Sequence, residues 1–485
     1  MTQQELEKYL WGAATALRGT IDAGDYKQYI FPLLFFKRIC DVYEEEFQKA
    51  LEESDGDLEY AAFAENHHFI VPADAHWTQV RETTTNVGLA IQNAMRKIEK
   101  ANPDTLEGIF GDASWTNKNR LSDETLINLI EHFSQHTLNL ANVADDKLGN
   151  AYEYLIKEFA DDSGHTAAEF YTNRTVVKLM TKIMDPQPGE SVYDPTCGSG
   201  GLLLNCALHL KEEGKEYRNL KLYGQEINLI TSAIARMNMF MHGIEEFKIV
   251  RGDTLAEPGL LKNDQLKTFN VILANPPYSI KSWNRDAFVN DPWGRNLWGT
   301  PPQGCADYAF QQHIQKSLDK NNGRSISLWP HGILFRDSEA EMRKKMIESD
   351  IVEAVIGLGP NLFYNSPMEA CLLITNNNKP AHKKGKILII NAVKDVKQEK
   401  SISFLKQKHI DKIYQTYINF KPVEAYAVIV DKEDVLERKA SLNIAQYVSN
   451  VEAKDNHISL EEAISEWKKS SEDLEISMNS LLRIN

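Results

Sequence analysis

Eight short apolar runs punctuate the middle of the chain: Ser191-Tyr193, Leu220-Gly224, Lys248-Val250, Asn270-Leu273, Arg324-Leu328, Ile351-Ile356, Ala370-Thr375 and Lys386-Asn391. Each is too short for a buried helix, and the stretches between them have helical spacing. Strands alternating with helices are the signature of a parallel sheet with crossover connections, so the fold class predicted here is α/β, a doubly wound, Rossmann-like sheet over residues 161–400. Ligands of such sheets bind outside the carboxyl ends of the strands, where the strand order reverses. The residues that follow each run are therefore the first place to look for chemistry.

The flanks read differently. Residues 1–160 show helical periodicity, with Leu6, Leu10, Ala13 and Leu17 on one face, and Ser122 before Asp123-Glu124 has the form of a helix start. They are read as an all-helical domain. Residues 401–485 are charged and are read as a C-terminal helical extension that makes subunit contacts. The apolar patch Tyr29-Phe36 is short and interrupted by Pro32, so it reads as a buried element. No segment approaches the ~20 apolar residues that span a bilayer, and Met1-Leu6 has no secretory pattern, so no membrane association and a cytoplasmic location are expected. The five cysteines, Cys40, Cys197, Cys206, Cys305 and Cys371, lack any CxxC spacing, which argues against a disulfide framework and implies no metal. A net charge of -15 is the wrong sign for a protein that grips duplex DNA unaided.

Chemistry concentrates at four strand ends. The first run leads into Asp194-Pro195-Thr196-Cys197-Gly198-Ser199-Gly200-Gly201, a glycine turn that lets backbone approach a ligand. The second ends at Glu226, placing a carboxylate where an adenosyl ribose would present its hydroxyls, and the third is followed by Asp253 at the same sheet edge. The fourth ends in Asn275-Pro276-Pro277-Tyr278. Two prolines stiffen that corner and remove two N–H donors, leaving carbonyl oxygens free beside the Asn275 amide. An exocyclic amino group can donate its hydrogens to the Asn275 side-chain oxygen and the Pro276 carbonyl, while Tyr278 stacks on a planar base.

The order of glycine turn, Glu226, Asp253 and Asn275-Tyr278 resembles the amino-methyltransferases acting on DNA, specifically the modification subunits of type I restriction-modification systems. Leu10-Trp11-Gly12-Ala13-Ala14 and Leu33-Arg38 are similar to that family's helical amino-terminal domain. Glu169-Phe170-Tyr171-Thr172-Asn173-Arg174 matches its cofactor-binding element, with Asn173 where proline is usual. Gly304-Phe310, Pro330-Arg336 and Leu362-Asn365 match further, with Cys305 where asparagine is usual.

The resemblance implies transfer of a methyl group from S-adenosyl-L-methionine to adenine N6, releasing S-adenosyl-L-homocysteine. It implies cofactor contacts at Glu169-Arg174, Asp194, Thr196, Gly198, Ser199, Gly200, Glu226, Asp253 and Asn275, catalysis at Asn275, Pro276, Pro277 and Tyr278, and a base pocket at Tyr278 and Phe363. Phe363 reads equally well as core packing. Partners implied are DNA, a specificity subunit, a second copy of the chain in a two-to-one assembly, and a restriction subunit. The loop Ser279-Gly304, with Lys281, Trp283, Arg285, Trp293, Arg295 and Trp298, suits nucleic acid and suits a protein contact or folded lid equally. Two competing readings are glutamine-N5 methylation of a protein, which uses the same Asn-Pro-Pro-Tyr chemistry, and an inert cofactor-binding scaffold.

Overall fold

The computed structural model describes residues 1–162, 172–362, 368–399, 402–448, 464 and 467–471. Its centre is a nine-stranded sheet. In chain order the strands are β1 (Ser191–Asp194), β2 (Lys221–Glu226), β3 (Phe247–Arg251), β4 (Val271–Ala274), β5 (Arg324–Pro330), β6 (Val352–Leu358), β7 (Ala370–Asn376), β8 (Lys386–Ala392) and β9 (Ala427–Asp431). Their spatial order is β3-β2-β1-β4-β5-β7-β6-β8-β9. Strand β7 runs antiparallel to β5 and β6, and β9 runs antiparallel to β8; the other pairs are parallel. The order reverses between β1 and β4, so the glycine turn after β1 and the diproline corner after β4 open side by side.

All eight predicted runs are strands. The ninth was not foreseen: residues beyond Ser401 were expected to be helical only, yet Ala427–Asp431 closes one edge of the sheet by pairing with Lys386–Ile390. That places the C-terminal stretch partly inside the α/β unit. The predicted packing helix at 460–467 lies mostly outside the described residues. Trp467, at the start of a helical stretch over 467–471, is 69% exposed.

The helices that matter to the site are α1 (Gln3–Leu17), α2 (Lys27–Glu53), α3 (Asp123–Phe133), α4 (Asp145–Asp162), α5 (Arg174–Met184), α6 (Gly201–Glu212), α7 (Leu229–Met241) and α8 (Asp307–Lys316). Leu6, Leu10, Ala13 and Leu17 of α1 are all buried, and Ser122 caps α3 by accepting the Thr125 N–H. Helix α2 runs straight through Pro32, and its whole segment from Tyr29 to Cys40 is buried.

Hydrophobic side chains fill both faces of the sheet. A third core lies in the helical region, and it includes Ala233, Ile234, Met237 and Met241 of α7. Phe35 of α2 stacks on Phe240 of α7 at 5.9 Å between ring centroids. Helix α7 is therefore amphipathic in an unusual sense: one side covers the sheet and the other completes the helical domain. Among the described residues no helix is long and apolar enough to cross a membrane.

Candidate active site

At the end of β1 the Asp194 carboxylate is buried and accepts the Thr196 N–H at 3.0 Å, opening the turn. Gly200 takes the left-handed conformation, φ +80°, and caps the first turn of α6, a geometry that favours glycine. The Arg174 guanidinium lies close over Gly201, where a Cβ would come within 2.2 Å of Nη1 and displace it. Asn238 of α7 holds the turn from below, donating to the Ser199 carbonyl at 3.0 Å.

Glu226, at the end of β2, joins the same turn. Its Oε2 accepts the Gly198 N–H at 3.0 Å and its Oε1 accepts the Asn228 N–H at 2.8 Å. Burial pushes the Asp194 carboxyl up to about 8, with the nearby Glu226 adding to the rise. Burial also raises Glu226, against the backbone N–H groups of Asn228 and Gly198 that favour its charged form. Ile227, next in sequence, leaves its side chain 61% exposed. Asp253, half-buried after β3, accepts the N–H groups of Leu255 at 2.8 Å and Ala256 at 3.2 Å, which shapes its own loop. The side chain of Thr254 donates to the Pro195 carbonyl, tying that loop to the glycine turn.

The diproline corner stands one strand away. Asn275 Nδ2 donates to the Thr172 hydroxyl at 3.0 Å, leaving its Oδ1 as the acceptor end. In this conformation Oδ1 accepts from the Tyr278 hydroxyl at 2.9 Å. Pro276 is buried and Pro277 exposed, with Asn275 and Tyr278 between those extremes. Thr172, predicted on the cofactor-binding element, thus touches the corner. Asn173, standing where proline is usual in the resemblance, caps α5 by accepting the Thr175 N–H, and its own Nδ2 donates to the Ser403 carbonyl at 3.0 Å. Arg174 pairs with Glu153 of α4. Glu169, Phe170, Tyr171 and Phe363 lie outside the described residues.

In the 279–304 loop, left open between a nucleic-acid surface and a folded lid or protein contact, part of the named set is folded inward. Of the six cations and aromatics named above, Arg295 and Trp298 are buried and so are no part of a surface. Arg295 pairs with the equally buried Asp291 and donates to the carbonyls of Thr254 and Leu255, both at 2.8 Å. It therefore clasps the loop to the Asp253 segment. Trp283 and Gln303 bond across the mouth of the loop, Nε1 to carbonyl at 3.1 Å and Nε2 to the Trp283 carbonyl at 3.0 Å.

Sequence reading missed the work of Asn238, Arg295, Asp307 and Arg336. An amide in the apolar helix α7 was the available signal for the first; the others lay in segments already singled out, but their contacts, made across many residues, carried no local mark. The structure also gathers two groups of potential metal-ligating side chains, Asp185-His209-Glu213 and Cys305-Asp307-Glu339. Lys215 sits against the first, and Arg336 pairs with both carboxylates of the second, so a cation already occupies each cluster.

Residues 143–456 match the family model for N-6 DNA methylase, and residues 6–133 match that for the HsdM N-terminal domain. The type I restriction enzyme MjaVIII methylase subunit of Methanocaldococcus jannaschii is 31% identical over 483 residues, covering 92% of this chain and 78% of the relative. The MjaVII methylase subunit of the same organism is 29% identical, covering 96% and 82%. Among solved structures, the type I restriction-modification system methyltransferase subunit from Streptococcus thermophilus is similar at a TM-score of 0.80 and 29% identity, covering 93% of this chain and 100% of that one. With the methylase match spanning the sheet and both strand-end sites, and the second match covering the helical domain in front of it, the chain belongs to the N-6 DNA methylase family, among the methylase subunits of type I restriction-modification systems.

Proposed function

We propose that this chain methylates adenine N6 in duplex DNA, using S-adenosyl-L-methionine and working in the cytoplasm beside a specificity subunit that chooses the site. The observation that carries the reading is the Asn275 amide. Its Nδ2 is committed to Thr172, so its Oδ1, next to the Pro276 carbonyl, forms an acceptor pair for the two hydrogens of an amino group.

The residues at the cofactor edge fit the donor. The Arg174 guanidinium lies close over Gly201 of the turn, and the exposed Ile227 offers an apolar face for a nucleobase. The buried Asp194 and Glu226 carboxylates would be stabilised in their charged forms by a cationic ligand rich in hydroxyl donors. Glu226 then takes the ribose hydroxyls, Asp253 the adenine amino group, and Asp194 through Gly200, with Thr172-Arg174, surround the methionine portion. Bound there, S-adenosyl-L-methionine supplies a sulfonium-activated methyl group that the target nitrogen takes without a covalent enzyme intermediate. The chain's own work is positioning.

The target base must leave the helix to reach the corner. As it arrives, Tyr278 gives up its bond to Asn275 Oδ1 and stacks on the base, with Phe363 as a second wall. The net charge of -15 supports a partner that supplies most of the DNA grip, in an assembly of two such chains with one specificity subunit and an optional restriction subunit. Labelled cofactor incubated with duplex DNA and the specificity subunit should label the DNA. Label appearing on a protein release factor instead would favour glutamine methylation, and label on neither would favour the scaffold reading.

A further inference from the structure

Immediately beyond the corner the backbone does something L-residues rarely do. Ser279 has φ +51°, in the left-handed region, where a side chain crowds its own carbonyl. Such conformations persist only where surrounding structure holds them, and they gather at functional sites. Here the holding group is Asp307. Its Oδ1 accepts the Ser279 N–H at 2.7 Å, and Arg336 Nη1 reaches the Ser279 hydroxyl at 3.5 Å.

Asp307 is itself wholly buried at the start of α8. Arg336 donates to its other oxygen through Nη2, and through Nε to the buried Glu339 at 2.8 Å. One guanidinium therefore serves two buried carboxylates, and one of those four oxygens is spent on a single backbone N–H. That N–H belongs to the residue next to Tyr278, whose hydroxyl occupies Asn275 Oδ1. An incoming amino group needs that oxygen, so Tyr278 has to swing away while Asn275 and Pro276 stay where they are.

We propose, resting on the methyl-transfer reading above, that Asp307 is a positioning residue for the reaction: by gripping the Ser279 N–H it fixes the chain on the far side of Tyr278, so that the tyrosine moves and the acceptor corner does not. Arg336, bonded to the other oxygen, keeps Asp307 aimed. The role differs from a mere brace because it depends on the acceptor oxygen and on the left-handed backbone, each of which can be changed alone.

The full chain, assembled with its specificity subunit, tests this on duplex DNA. Asp307→Ala, which removes the acceptor, should lower kcat about 10- to 100-fold while the cofactor KM stays within about twofold. Asp307→Asn keeps an acceptor and leaves Arg336 its Glu339 partner, so it should retain at least roughly a third of kcat. Ser279→Val resists the left-handed form and Ser279→Gly adopts it freely, so the glycine variant should turn over about tenfold faster than the valine one. That pair, at a half-buried loop position, decides the matter even if Asp307→Ala fails to fold. The inference is overturned if Asp307→Asn is as impaired as Asp307→Ala, if neither Asp307→Ala nor Ser279→Val slows turnover, or if cofactor KM rises in step with the loss.

Hydrogen exchange of the segment 276–283, read by mass spectrometry on the full chain without DNA, separates this failure from failure of the methyl-transfer reading. Protection should vanish in Asp307→Ala and persist in Asp307→Asn. Equal protection in both removes the positioning role whether or not the wild type labels DNA; wild type that labels no DNA while showing the expected exchange pattern breaks only the broader reading.

Discussion

The proposed cofactor edge and the proposed target edge sit on neighbouring strands and are built in opposite ways. At the first, charge lies at the surface of the site: Asp194 and Glu226 are buried carboxylates whose partners are backbone N–H groups within the same turns. At the second, the contact residues Asn275, Pro276, Pro277 and Tyr278 are all uncharged, and the ions stand one layer back in Asp307, Arg336 and Glu339. The difference matches two tasks. Holding a charged nucleoside donor calls for carboxylates at contact distance, whereas keeping an amino group neutral and its lone pair available calls for neutral acceptors held rigidly.

The sharpest way to break this division is Asn275→Ala. It should reduce methyl transfer about a thousandfold or more while cofactor affinity and subunit assembly survive, as read by radiolabel transfer, calorimetry and gel filtration; transfer at the wild-type rate would end the assignment of the corner. Next in size is Arg295→Met, which strips the partner from buried Asp291 and unclasps the loop from the Asp253 segment. Loss of about 3–5 kcal/mol of stability is expected, seen as a lowered denaturation midpoint, and because the clasp spans both edges this is the variant that should weaken cofactor binding and turnover together.

Glu226→Gln isolates the cofactor edge. It removes the charge that faces the proposed ribose and should weaken cofactor binding about 10- to 100-fold with kcat at saturation nearly preserved; a kcat effect without a binding effect would erase the distinction between the edges. The last effect concerns pH. Asp194 has a folded-state value of about 8, above its unfolded value near ~3.9, so it costs folding nothing in acid and progressively more as pH rises between those values. Asp194→Asn keeps the acceptor for Thr196 and lacks the ionisation, so its thermal midpoint relative to wild type should climb across that window and level off above it. A constant difference from pH 5 to 9 would mean that Asp194 does not titrate there.

What could be read without coordinates follows the same division. At the proposed cofactor edge each signal sits at a strand end, the glycine turn after β1 and Glu226 closing β2, so strand periodicity, which placed all eight central runs, points to them although Glu226 meets Gly198 from 28 residues away. The edge strand Ala427–Asp431 escaped because it is short, half-buried and set in a charged helical context, where only its pairing with β8 identifies it. The target edge was legible as far as its own four residues. Its supports are not, since Asp307 and Arg336 reach Ser279 from 28 and 57 residues away, and nothing in local composition announces a contact at that range. Asn173 shows the same limit in reverse: a departure from the family's usual residue reads as a disturbed loop, and in three dimensions it is a helix cap.

Helix α7 belongs at once to the interior of the helical domain and to the wall behind the glycine turn, where Asn238 holds Ser199. Parting the two would strip Ala233, Ile234, Met237 and Met241 from their packing and expose them to water. The same thirteen-residue helix thus gives the amino-terminal core and the Ser199 turn one common wall, so a substitution that shifts it is felt on both sides.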